Sequence, residues 1–283
     1  MSNITIYTPN ERSKTGLFET WGIMIRNIIN SRDLIYQLFK RDFFMSYKKS
    51  FLGLTWIFIS PIVGIISWVF LNYAGVLQPG STGIPFPAYV LLSSSIWGLF
   101  MGFYGSAAGT LGAGSGFIMQ VKYPHEVLLV KQTAQSLANF LVTFIVNIIV
   151  LLLFGVTPSW AIILFPIVIL PLFFLGAGMG LFISVISVVA TDLTNIFNIL
   201  LGLVFYITPI VYIQSTIKSE FLTRLIELNP LTYLIGAVRD TIVYGKIDNV
   251  GSFILVSLLS FVFFMLTWRL FYVSEHKVIE KMF

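Results

Sequence analysis

The 283-residue chain is 57% hydrophobic and 16% aromatic, carries charge on only 10% of its residues and has a mean hydropathy of +0.91. That balance excludes a soluble domain, and the lack of cysteine excludes disulfides, thiolate metal sites and cysteine nucleophiles. The formal charge of +5 comes from basic residues that flank apolar runs and form no stripe with interleaved aromatics, so nucleic acid is not an expected partner.

Residues 1–50 form a polar, basic arm with no early apolar core and small-residue cleavage site, so a secretory leader is not expected. Ser31 suits the cap of an amphipathic helix beginning near Arg32, with Leu34, Ile35, Leu38 and Met45 on one face and Arg32, Lys40 and Arg41 placed to meet headgroups. This helix is predicted to lie along the cytoplasmic interface. Six apolar stretches follow: Phe51–Leu77, Phe86–Ala108, Val127–Phe154, Ala161–Ala190, Ile196–Ile213 and Val250–Phe271. About 20 apolar residues cross a bilayer as a helix, and lipid leaves backbone groups no outside partner. The expectation is an all-α integral membrane protein with six transmembrane helices in one domain over 51–271, followed by a cytoplasmic tail at 272–283.

Basic residues decide the orientation. Arg12, Lys14, Arg26, Arg32, Lys40, Arg41, Lys48 and Lys49 precede the first span, and Lys122, Lys131, Arg269, Lys277 and Lys281 fall on the same side if six spans alternate. Both termini are therefore expected in the cytoplasm. The loop at about 214–249 is external, and within it Asn229 as N-cap, Pro230 at the first helical position and Gly245 past the end frame a helix over Pro230–Tyr244. Leu231, Leu234, Ile235, Val238 and Ile242 form its apolar stripe. At 1.5 Å per residue it reaches only about 22 Å, too short to span. With Phe221–Leu228 before it, the reading is a pair of short re-entrant helices; an amphipathic surface helix is the alternative.

Small residues recur at packing spacing: Gly53, Ser60, Gly64 and Ser67 in the first span, Ser94, Gly98, Gly102 and Ser106 in the second, and Gly176, Gly180, Ser184 and Ser187 in the fourth. Such stripes either let helices of one subunit approach closely or build a subunit seam or conduit wall. In the third span Gln132, Gln135, Asn139, Thr143 and Asn147 fall on one helical face, a polar ladder that either bonds helices together or lines a passage for a hydroxyl-rich substrate. Trp56 heads a set of aromatics that interfacial belts largely explain. Ionisable groups deep in the spans are nearly absent, which argues against a proton or ion relay. His125 and His276 lie far apart and no acidic or histidine run has ligand spacing, so no metal is expected. Paired carboxylates, a nucleophile with its base and a phosphate-cradling loop are missing as well, so no catalytic residue is assigned.

The stretch Leu38–Pro61, LFKRDFFMSYKKSFLGLTWIFISP, resembles the opening segment of ABC-transporter permeases that export polysaccharides. Further matches are Tyr123-Pro124-His125-Glu126 after the second span, Asp192 after the fourth, Thr208-Pro209-Ile210-Val211-Tyr212 closing the fifth, and Leu228-Asn229-Pro230 followed by Arg239 outside. One departure is Thr191, where the family usually has an arginine. The resemblance implies a homodimeric permease, without nucleotide chemistry of its own, working with a dimeric ATP-binding cassette subunit that holds ATP and Mg. Its cargo would be an undecaprenyl-linked polysaccharide, O-antigen foremost, with capsule or teichoic-acid polymers and type-two drug or lipid export as alternatives. Tyr47, Tyr123, Pro124, His125 and Glu126 would couple to the partner, Asp42 would sit on the interfacial helix in need of a basic neighbour, and Asn229, Pro230 and Arg239 would cap the exit of a conduit lined by spans one, two and five. Arg239 has two readings, contact with a phosphate or a pair with Asp240 or Glu227.

Overall fold

The computed structural model describes residues 15–48, 55–110, 126–187 and 192–282, and these fold entirely as helices, turns and connecting segments, with no strand. The arm contains two helices, α1 (Leu17–Asn30) and α2 (Arg32–Lys48). α1 was not foreseen. Ser31 joins them through its backbone, its N–H donating to Asn27 and Ile28 and its carbonyl accepting from Ile35. α1 buries Met24 and Thr20, and the Trp21 indole donates to the Met265 carbonyl at 3.2 Å, so this helix is sewn to the last helix of the chain.

Among the described residues, four helical segments are long and apolar enough to cross a bilayer: α4 (Phe86–Ala108), α5 (Glu126–Leu153), the broken segment Trp160–Ile186, and the first 25 residues of α11 (Val250–Met282). Two further apolar helices, α3 (Thr55–Tyr73) and α8 (Asp192–Ile207), stand where spans one and five were expected and are shorter. Proline and glycine explain the differences from the expected bounds. α3 stops at Tyr73, where Gly75 turns the chain with φ +75 and Asn72 caps the Leu77 carbonyl at 3.1 Å. The expected fourth span is one continuous helix on paper; the structure opens it as a 3-10 turn at Trp160–Leu164, then α6 (Phe165–Val168) and α7 (Leu170–Ile186). Pro166 and Pro171 each remove a backbone donor and crowd the preceding turn, which breaks the run. α8 ends at Ile207 instead of Ile213 because Thr208 precedes Pro209, a position that disfavours helix. α11 does not stop near Phe271; it continues through residues 272–282, so the expected tail is a continuation of the last helix.

α7 is the central post. Gly176 and Gly180 face α4, where a Cβ would meet the Phe100 carbonyl at 3.0 Å and, at Gly180, Ala107 at 2.6 Å. Gly178 faces α11 against Phe263 and Phe264. The fourth-span stripe is thus a packing seam within the subunit, and the core of Phe100, Phe103, Leu172, Leu181 and Phe264 closes around it. By contrast α3 and α8 expose Phe58, Ile62, Phe70, Ile196, Ile199 and Leu203. An apolar outer face is the arrangement that suits a hydrocarbon solvent.

The short helices expected in the last loop are α9 (Glu220–Leu228) and α10 (Pro230–Tyr244). Leu231, Leu234, Ile235, Val238 and Ile242 are all buried, so α10 is packed into the end of the bundle and does not lie on its surface. Gly245 closes it in the left-handed conformation, φ +71, with its N–H on the Asp240 carbonyl.

Candidate functional site

A cavity of about 390 Å³ opens between α3, α4 and α5. Its wall is built from the small-residue stripes and the polar ladder together: Ser60 and Gly64 from α3, Ser94 and Gly98 from α4, Asn139 and Thr143 from α5. Gly64 and Gly98 have nothing within 4 Å of where a Cβ would stand, so here the stripe leaves space open instead of closing a contact. Ser136 and Ser95 join the wall and were missed in sequence, although Ser136 lies one turn before Asn139 on the same face. Ser136 also ties the cavity's inner end together, meeting Ser106 at 2.9 Å and donating to the Gly102 carbonyl at 3.2 Å.

The ladder divides. Asn139 and Thr143 line the cavity; Asn147 is buried and its Oδ1 accepts from Ser95 at 3.3 Å, an interhelical bond. Gln135 lies off the cavity, with its Oε1 buried and unbonded among the described residues. Ser67 and Trp56 are exposed on α3 and take no part in the wall. α3, α4 and α8, which stand where spans one, two and five were expected, do meet, through Trp68, Trp97 and Phe205, with ring pairs 5.4–6.1 Å apart. Tyr104 adds a hydrogen bond to Asn198 at 2.9 Å. The polar space, however, lies among α3, α4 and α5.

At the cytoplasmic end predicted from charge, Lys131 of α5 donates to Asp42 of α2 at 2.7 Å, and Arg41 donates to the same carboxylate at 2.8 Å. The basic neighbours that Asp42 requires are therefore present. Partial burial pushes the Asp42 carboxyl up, but the hydrogen bonds and charges of Arg41 and Lys131 outweigh it and hold the group below its ordinary value. Lys40 lies on the same helix. Glu126 is buried at the first position of α5, where the helix N-terminus favours an acidic side chain. Tyr123, Pro124 and His125 lie outside the described residues, as does the side chain of Tyr47.

At the opposite end, Asn229 caps α10 by accepting from the Leu231 N–H at 3.0 Å and donates through Nδ2 to Thr208 at 2.8 Å. Pro230 occupies the first turn. Arg239 donates through Nε to Asp240 at 3.0 Å and through Nη1 to the Tyr89 hydroxyl at 2.8 Å, with its guanidinium over the Tyr89 ring at 4.7 Å. The pair with Asp240, one of its two readings, is present. Tyr89 in turn donates to the carbonyls of Pro209 and Tyr212, both at 3.1 Å. A latch of Tyr89, Thr208, Asn229 and Arg239 thus fastens α4, the break after α8, and α10. Tyr89 escaped the sequence reading because an aromatic near a span's end resembles any interfacial anchor.

Helices with apolar outer faces, a hydroxyl- and amide-lined cavity among them and a fastened cap of short helices define a multi-pass membrane protein of the transport class. Residues 33–243 match the family described as ABC-2 type transporter, and the chain belongs to that family. It is 28% identical over 217 residues to the O-antigen export system permease protein RfbA of Myxococcus xanthus, covering 76% of this chain and 82% of the relative. A relative of the same designation from Klebsiella pneumoniae is 26% identical over 225 residues, with the same coverage.

Proposed function

We propose that the chain is the membrane permease subunit of an ATP-driven exporter that carries undecaprenyl-linked O-antigen outward across the bacterial inner membrane. The relatives' designation supports the cargo. In this reading each subunit spans the membrane six times with both termini cytoplasmic, two copies pair through the apolar faces of α3 and α8, and a dimer of ATP-binding cassette subunits supplies ATP and Mg.

The observation that carries the reading is the 390 Å³ cavity, because a row of hydroxyl, amide and glycine positions in an open cleft among apolar helices offers hydrogen bonds to a polyol without presenting any charge. A sugar chain passes such a wall by exchanging many weak hydrogen bonds, and no single strong one holds it. The partner's closing motion would enter through the segment Tyr123–Glu126 and through α2, whose Asp42–Lys131 pair connects the interfacial helix to α5. Displacement of α5 would then reshape the cavity its own residues line.

The test is reconstitution of the permease with its ATP-binding partner in vesicles containing undecaprenyl-linked O-antigen, with export read by antibody access. Gly98→Leu fills the open side of the cavity and Asn139→Leu removes its amide. Both are expected to lower export while the complex assembles and hydrolyses ATP. Unchanged export in both variants, or export without the partner, would overturn the reading.

A further inference from the structure

A second cavity, of about 370 Å³, lies at the end of the bundle where α10 meets the segment before α4 and the break after α8. Its volume is within the range of small-molecule sites. Thr82, Tyr89, Gln214, Tyr233, Tyr244 and Asn249 supply hydroxyl, amide and aromatic surface, and Arg239 and Asp240 supply charge.

The disposition of that charge decides the ligand. Arg239 spends Nε on Asp240 and Nη1 on Tyr89 and the Pro209 carbonyl at 3.3 Å; Nη2 has no hydrogen-bond partner among the described residues. Asp240 likewise uses Oδ1 for the pair. The unused Nη2 and the unused Oδ2 both stand beside Gly236, 3.9 and 4.0 Å from where a Cβ on that glycine would be. A donor and an acceptor are therefore both left within about 4 Å of one point, at a position where the chain places no side chain. An anion is poorly served here, because the one guanidinium is neutralised by Asp240 and the only other charge on the wall is a second carboxylate, Asp248, itself paired with Lys246 at 3.4 Å. A hydroxyl group fits, since it accepts from Nη2 while donating to Oδ2.

We infer that this cavity is a saccharide subsite for a neutral, hydroxyl-rich sugar unit, held by Arg239 Nη2 and Asp240 Oδ2 over Gly236 and flanked by the Tyr233 and Tyr244 rings. Binding there stands on its own; that the sugar is a unit of the emerging polymer rests on the export reading above.

The experiment uses the purified full chain in detergent, without partner or ATP, so that its outcome is independent of transport. Saturation-transfer NMR is recorded with D-glucose, D-galactose, D-mannose and maltose as probes, and phosphorus NMR with inorganic pyrophosphate. Gly236→Val sets its Cβ at ordinary contact distance from the two free atoms and its methyls in the space beside them. At least one neutral sugar is expected to give transfer signals that weaken about tenfold or more in Gly236→Val, the loss of two hydrogen bonds, with unchanged thermal unfolding. Signals from no sugar, equal signals in wild type and Gly236→Val, or binding of pyrophosphate in place of sugar would each overturn the inference. If sugar binds but vesicles do not export, the subsite stands and the export reading falls.

Discussion

Asn229 joins two elements through one side chain, so its replacement has a magnitude that can be worked from the geometry. As N-cap of α10 it accepts from Leu231, and loss of such a cap costs about 1 kcal/mol. Its Nδ2 donates to Thr208 at 2.8 Å with only 8% of the residue exposed, and a buried hydrogen bond adds about 1 kcal/mol. Asn229→Ala should therefore cost about 2 kcal/mol, and more if water fails to reach the freed groups. Asn229→Ser restores the cap acceptor without reaching Thr208 and should recover about half of that cost. A double-mutant cycle of Asn229→Ala with Thr208→Val isolates the second contribution, with an expected coupling of about 1 kcal/mol. Equilibrium unfolding of the purified chain in mixed detergents measures all five proteins, the wild type included. A coupling near zero, or equal losses for the Ala and Ser variants, would refute the assignment of Asn229 as the bond between α10 and the end of α8.

Three further outcomes follow from other contacts. Because the folded pKa of Asp42 lies below its unfolded value, the anchor of α2 on α5 is complete above about pH 4 and lost as pH falls through the lowered value. In this cysteine-free chain a spin label attached at neutral pH to Leu38→Cys should become more mobile on acidification, and Lys131→Met should weaken that pH response; an identical response in both would refute the anchor. Gly180→Val drives side-chain atoms into the backbone of α4 and should cost about 3 kcal/mol or more, seen as lost folded yield, whereas Gly64→Val meets open space and should leave unfolding unchanged while lowering export. Glu126→Ala at the buried start of α5 should separate ATP hydrolysis from export, both measured in the same vesicles, with membrane insertion intact.

The element boundaries readable in the sequence are those written by local chemistry. Pro85 and the apolar run after it place α4 at Phe86–Ala108, and Asn229, Pro230 and Gly245 place α10 at Pro230–Tyr244, as expected. α1 was hidden because its apolar face is short and lies in a basic arm, so its partner, α11, is what makes it evident. Likewise the polar ladder is one pattern on the helical wheel but three environments in space: Asn139 and Thr143 at a cavity, Asn147 on Ser95, and Gln135 against the bundle. Periodicity specifies which face a residue is on, and the neighbouring helix specifies what that face does.

The glycine stripes carry this point furthest. Gly98 and Gly102 on α4 and Gly176 and Gly180 on α7 have the same spacing of four, so any sequence rule for close helix approach treats them alike. In the fold Gly176 and Gly180 are filled by α4 backbone, and Gly102 by Ser136 at 3.1 Å, while Gly98 and Gly64 face nothing within 4 Å. A stripe that closes a seam contributes dispersion along its whole length, and an added methyl there is expelled or breaks the contact. A stripe that faces a void forfeits that dispersion, a cost with no return in stability. In a helix interior glycine is also the weaker choice than alanine by about 1 kcal/mol. Gly64 and Gly98 therefore sit where alanine would fit and would stabilise the helix. On the proposed export reading, what they preserve is the width of the cavity between α3 and α4, a demand of passage and not of folding.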